Sequence, residues 1–112
     1  MTNNDLVFYV QLDVKPERVD EWKAAVLDVI EQMAKESTFV ACYLDQDPQD
    51  PTRFTLFERW RETSVEAFVA NQFEAKSYRQ AYEASLPALL RSPRITTVLR
   101  GVREWHGSVT DH

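Results

Sequence analysis

The chain has 112 residues, 44% of them hydrophobic and 12% aromatic, with 13 basic against 18 acidic side chains for a net charge of −5. That length suits one core and is too short for two, and the acidic balance, with no long basic run, excludes a surface that tracks a phosphate backbone, so no nucleic-acid partner is expected. Cys42, the single cysteine, excludes an intrachain disulfide and a thiolate metal cluster and suits a reducing cytoplasm.

The residues after Met1 lack the basic start and apolar stretch of a secretory signal, and no window reads as a membrane span, so neither membrane insertion nor export is expected. "DLVFYVQLD", residues 5–13, reads as a strand because β-branched and aromatic residues dominate it. Leu6, Phe8, Val10 and Leu12 fall on one face and Val7, Tyr9 and Gln11 on the other, which predicts cover on both faces. Pro16 suits a first helical turn, and Glu17, Asp20 and Glu21 suit its positive dipole end. Val19, Trp22, Val26, Val29, Ile30 and Met33 then recur at three- and four-residue spacing, predicting an amphipathic helix to about Glu36.

"STFVACYLDQ" and "TRFTLFERW" are both β-rich and flank Asp47, Pro48, Asp50 and Pro51, so they predict a hairpin with a longer loop. In the second strand Phe54, Leu56, Glu58 and Trp60 share one face, and an acid in an apolar row requires a hydrogen-bonding partner. Arg59, Arg100 or a backbone amide at a subunit seam are the candidates. Thr63 with Glu66 three places on forms a capping box for a second helical region, interrupted near Asn71. The helix resumes from about Phe73 with Tyr78, Tyr82, Leu86, Leu89 and Leu90 as an apolar stripe, and Pro87 is expected to break or kink it. Lys76, Arg79 and Arg91 read as solvated, with binding of a ligand carboxylate as the alternative. "RITTVLRGV", residues 94–102, is the last strand.

The order β-α-β-β-α-β is the split arrangement of an α+β ferredoxin-like fold, a four-stranded antiparallel sheet with helices on one face. One domain over residues 1–112 is expected, with a core of about 5–103 and a tail 104–112 that carries His106 and His112 as tail residues rather than ligands. Strands apolar on both faces predict a homodimer packed sheet to sheet.

"LVFYVQLDVKPERVDEWKAAV", "YLDQDPQDPTRFTLFERWRE" and a helical segment ending in "LPALL" together resemble the antibiotic biosynthesis monooxygenase domain, a dimeric α+β barrel family, over about residues 5–100. The Asp-Pro turn, Phe54 and the Glu58-x-Trp60 ending carry the likeness most specifically. It implies quinol and anthrone oxygenases that use neither metal nor flavin, or heme-degrading oxygenases on the same fold. The heme-degrading members carry an Asn-Trp-His set; here Tyr9 and Gln11 stand on the first strand and Phe68 and Tyr78 at the other two positions, which disfavours heme. No cofactor and no metal are therefore expected.

The resemblance implies catalytic roles for Glu58 and Tyr78, and a wall for a small aromatic ligand built from Tyr9, Trp60, Phe68, Asn71, Phe73 and Tyr82. Each residue also has a plain structural reading. Trp60 fits a core position, Glu58 a hydrogen-bonded structural acid, and Asn71 and Gln72 a cap at the helix break. Tyr78 and Tyr82, four apart on one helical face, suit either a pocket or an ordinary helix-to-sheet contact. Family histidines are replaced by Phe68 and Phe73, which leaves proton transfer to Tyr78, Tyr82, Glu58 or water. The expected function is a cofactor-independent monooxygenase acting on a phenolic, quinol or polyaromatic ring; the alternative is a catalytically silent dimeric domain that binds a small aromatic metabolite. Isomerisation of a phosphorylated or keto compound would need a cationic pocket that the sequence does not clearly provide.

Overall fold

A computed structural model describes residues 4–107, so His112 and the end of the expected tail lie outside the described residues. Four strands form one antiparallel sheet: β1 (Leu6–Asp13), β2 (Phe39–Asp47), β3 (Asp50–Trp60) and β4 (Ile95–Arg100), in the spatial order β2-β3-β1-β4. Three α-helices accompany the sheet among the described residues: α1 (Val19–Met33), α2 (Val65–Asn71) and α3 (Ser77–Leu89). This is the α+β ferredoxin-like arrangement expected from the sequence. No helix among the described residues is long and apolar enough to cross a membrane.

The alternation in β1 and β3 decides which sheet face meets the helices. Leu6, Phe8, Val10 and Leu12 of β1 pair with Trp60, Glu58, Leu56 and Phe54 of β3, and all eight side chains are buried. They meet Trp22, Val26, Val29 and Met33, the stripe of α1, and Tyr82, Leu86 and Leu89 of α3 in one cluster. The opposite face is only partly covered within the chain. Val7 is buried there, but Tyr9 and Gln11 are exposed, and every residue of β4 is exposed.

Several local expectations are corrected. Pro16 opens a short 3-10 turn, Pro16–Arg18, and α1 starts only at Val19 and stops at Met33, before Glu36. The β2–β3 connection is a two-residue turn, Pro48 and Gln49, rather than a longer loop, because Asp47 and Asp50 already pair. The Asp47 carboxylate accepts from the Gln49 amide at 2.8 Å and the Asp50 carboxylate from the Thr52 amide at 3.0 Å, so both acids act as backbone mimics that tighten the corner. Ser64, not Thr63, caps α2, accepting from the Ala67 amide at 3.1 Å. Pro87 does not break α3, which continues to Leu89. Its ring sits in the last turn, where only one intrahelical hydrogen bond is lost before the chain would leave the helix anyway.

Candidate functional site

Between the helical layer and the sheet lies a cavity of about 70 Å³. Its apolar floor is Phe8, Val10 and Leu12 of β1 with Leu56 of β3; α1 contributes Val29, Ile30 and Met33, and Phe68, Phe73 and Tyr82 close the far side. The polar groups that reach it are Glu58, Arg79, Tyr82, Arg94 and Thr96. Of the residues singled out in the sequence, Glu58, Phe68, Phe73 and Tyr82 are brought together here.

Glu58 sits mid-row on the inner face of β3, 3% exposed. Its anticipated partners, Arg59 and Arg100, are elsewhere: Arg59 points to the other face and pairs with Asp5, and Arg100 donates to backbone carbonyls of Asn4, Glu62 and Thr63. The Trp60 indole donates to Glu58 Oε1 instead, at 3.1 Å, and the guanidiniums of Arg79 and Arg94 supply the nearby positive charge. Burial raises the Glu58 carboxyl above the ordinary carboxylate range, against the opposing pull of Arg79, the indole hydrogen bond and Arg94.

Trp60 stands behind this acid rather than on the cavity wall. It is fully buried, edge-on to Phe39 with ring centroids 5.3 Å apart and to Phe68 at 5.0 Å, so the space beside it is filled core. Phe68 lies against Phe8 at 4.5 Å and Phe73 at 5.7 Å, forming an aromatic panel that faces Glu58 from the helical side. Tyr82 is buried on α3, and its hydroxyl accepts from the Trp22 indole at 3.2 Å. Burial pushes that phenol up to about 12, with the indole and the two arginines working the other way.

Three further residues are placed away from the cavity. The Tyr78 hydroxyl donates to Glu36 Oε2 at 2.8 Å and lies 3.3 Å from Gln72 Oε1. Burial and that carboxylate push it up to about 12, and the hydrogen bond ties α3 to the segment that follows α1. Burial would raise Glu36, but the Tyr78 hydroxyl and Lys76, 3.2 Å away, outweigh it and hold Glu36 low. Asn71 is exposed, and its amide donates to the Glu62 carboxylate at 3.3 Å, tying off the end of α2. Tyr9 lies on the outer sheet face.

The sequence reading missed Arg94 and Glu83, and the burial of Arg79. Arg79 was expected in solvent, yet it is 6% exposed: its Nη1 meets Met33 Sδ at 3.2 Å and its guanidinium lies 4.5 Å from the Phe73 ring centroid. The signal was its position, because 79, 82, 86 and 89 make the buried stripe of α3, with Tyr78 one place off it. Glu83 accepts from Arg79 Nε at 3.3 Å and from Arg94 Nη1 at 2.8 Å, and its other oxygen pairs with Arg94 Nη2. On the β2 side of Glu58 is Cys42, half-buried, whose thiol is pushed up to about 12 by burial and by the neighbouring carboxyl. No group of three or more His, Cys, Asp or Glu side chains that could hold a metal ion occurs among the described residues.

An acid lifted by burial, an aromatic panel and two guanidiniums around a small apolar space define a pocket able to accept a proton and stabilise a nearby anion. The family model for antibiotic biosynthesis monooxygenase matches residues 6–84. The chain belongs to the antibiotic biosynthesis monooxygenase family. A candidate antibiotic biosynthesis monooxygenase from Nitrosomonas europaea is similar in structure, with a TM-score of 0.77 at 21% identity over 90% of this chain and 93% of that one. Rv0793 from Mycobacterium tuberculosis gives 0.77 at 19% identity, covering 89% of this chain and 97% of its own. A conserved protein from Methanosarcina mazei Go1 gives 0.75 at 20% identity, covering 87% and 92%. Likeness at these identities establishes the fold. No curated protein sequence matches the chain.

Proposed function

We propose that the protein is a monooxygenase that oxidises an electron-rich phenolic or quinol-type ring with dioxygen, the ring itself supplying the electrons. The observation that carries this reading is the buried Glu58 carboxyl at an apolar cavity within reach of two guanidinium charges. Ionised Glu58, a stronger base than a solvated carboxylate, takes a proton from an activated ring methylene or phenol. Arg79 and Arg94 lower the energy of the resulting anion. That anion passes an electron to dioxygen and recombines at carbon. The hydroperoxide then loses water to leave a carbonyl, so one oxygen atom enters the product and the other leaves as water. Phe68 and Phe73 give the ring a face to lie against, and Tyr82 and Thr96 bring hydroxyls to the lining for the developing charge.

The alternative is a domain that binds an aromatic ligand without turnover, and on either reading the cavity volume sets a condition. About 70 Å³ is roughly half of the ~150 Å³ that admits a benzene ring in an engineered apolar cavity, so side chains must move for a ring to enter. We also assign a second copy of the chain to the outer sheet face, where Tyr43, Tyr9, Leu99 and Ile95 are exposed around Phe57 and Val7. The lone half-buried cysteine suits the cytoplasm, where we place the protein.

Oxygen uptake over a panel of quinols and anthrones, corrected for autoxidation, tests the reading. Turnover above background that Glu58→Gln lowers by at least a hundredfold supports it. Aromatic binding with no uptake above background on any member assigns the silent domain instead.

A further inference from the structure

Outside the small cavity, at the C-terminal end of α3, a second recess of about 410 Å³ is lined by Leu86, Pro87, Leu90 and the 91–94 segment. That volume lies within the range of roughly 300–1,000 Å³ usual for small-molecule sites. Arg94 lines both spaces, and Glu83 lines the outer one while bonding to Arg94 and Arg79. The inner space is too small for a ring, the outer one is large enough, and an ion pair stands between them.

We propose that the Glu83 carboxylate is a movable door between groove and cavity, and that the ligand it admits is an aromatic acid whose own carboxylate replaces Glu83 on Arg79 and Arg94 while its ring lies mainly in the groove, across the opening to the cavity. This rests on the aromatic-ring reading above and adds the charge of the ligand and its route. Arg79 is held without Glu83, and Arg94 keeps a ring contact besides its hydrogen bonds to Glu83. Arg79 is fixed by Met33 Sδ and stacks on Phe73, and Arg94 lies 5.9 Å from the same ring centroid on its own strand entry. Glu83 has no comparable anchor and is about one-quarter exposed, so rotation toward the groove costs it little beyond the pair itself.

Selection for an anion follows from the charges. From α3, Arg79 and Glu83 face the partition; Arg94 faces it from the entry to β4 and Glu58 from β3, whereas α1 presents only apolar side chains. A neutral ring that opens the door leaves two guanidiniums short of a counter-ion in a partly dry site. A carboxylate restores it, and its geometry suits the planar fork of each arginine.

The test is a calorimetric titration at neutral pH with 2-naphthoate and 2-naphthol, which share a ring system and differ in charge. The wild type is expected to bind the naphthoate about tenfold or more tightly than the naphthol. Arg94→Gln brings that ratio close to one, and Glu83→Gln, which removes the competing carboxylate, tightens the naphthoate several-fold. Thermal melts of both variants confirm that they remain folded. Naphthol bound as tightly as naphthoate overturns the anion selection while leaving an aromatic pocket in place. Failure of both rings to bind overturns the aromatic reading with it. Glu83→Gln weakening the naphthoate as much as Arg94→Gln does would show Glu83 to be part of the binding frame and sink the door.

Discussion

Replacing Trp60 by phenylalanine separates the two things that this residue does. The new ring still faces Phe39 and Phe68, but the indole N–H that donates to Glu58 Oε1 at 3.1 Å is gone. Loss of a donor to a buried acid costs about 1–3 kcal/mol, and shrinking a fully buried ring adds about 1 kcal/mol of lost packing. The total, about 2–4 kcal/mol, is a large share of the stability of a domain this size and lowers its melting temperature by about 10 °C or more. The loss also depends on pH. The indole hydrogen bond favours the ionised carboxyl, so the variant is hurt more at pH 8, where a carboxylate is left without its donor, than at pH 5. Urea unfolding at both pH values, with the slope of each transition checked for constancy, measures the difference. A loss below about 1 kcal/mol, or one equal at the two pH values, would show that the indole does not hold Glu58 and refute the reasoning.

Glu58→Gln should stabilise the fold at pH 8. A carboxyl whose folded pKa is raised binds its proton more firmly in the native state, so its penalty is absent below the unfolded value and grows as pH rises through the folded one; melting curves from pH 4 to 8 should show the variant's gain vanish toward the acid end. Ser64→Ala should cost about 1 kcal/mol by freeing the Ala67 amide, read by urea unfolding, with Ser64→Asp restoring most of it. Wild-type protein at micromolar concentration is expected to sediment at twice the chain mass. Phe57→Asp, mid-row between Tyr43 and Tyr9 on the outer sheet face, should sediment as a monomer; a monomeric wild type would remove the sheet-to-sheet assembly.

Much of the fold was legible because period-two alternation in β1 and β3 and the three-and-four spacing of α1 follow from a single buried face. The site was legible only in part. Glu58 and Phe68 declare themselves as an acid in an apolar row and an aromatic at a helical spacing, but Arg79 reads as surface because arginine is seldom fully buried. Its burial depends on Met33, distant in the chain, and on Phe73; of its partners only Glu83, four places on along α3, is announced by a local pattern. Tyr78 and Tyr82 illustrate the same limit: four apart they read as one face, but the buried stripe runs through Arg79 and Tyr82, which sends Tyr82 to the cavity and leaves Tyr78 to reach Glu36. The tight turn at Pro48 was obscured by its surplus of turn-forming residues, of which Pro51 lies inside β3.

Cys42 offers an internal clock for how often the sheet and helices part. Its thiol, half-buried beside Glu58 and pushed up to about 12, presents almost no thiolate at neutral pH while the layers are closed. An alkylating reagent therefore reacts at a rate set by transient separation of β2 from the helical layer, when solvent restores the ordinary acidity of the thiol. Because Cys42 pairs directly with Glu58 across β2 and β3, that rate reports breathing at the edge of the cavity itself. The only thiol in the chain is thus a gauge of opening on the β2 side of Glu58, with no label added and no second cysteine to confuse the reading.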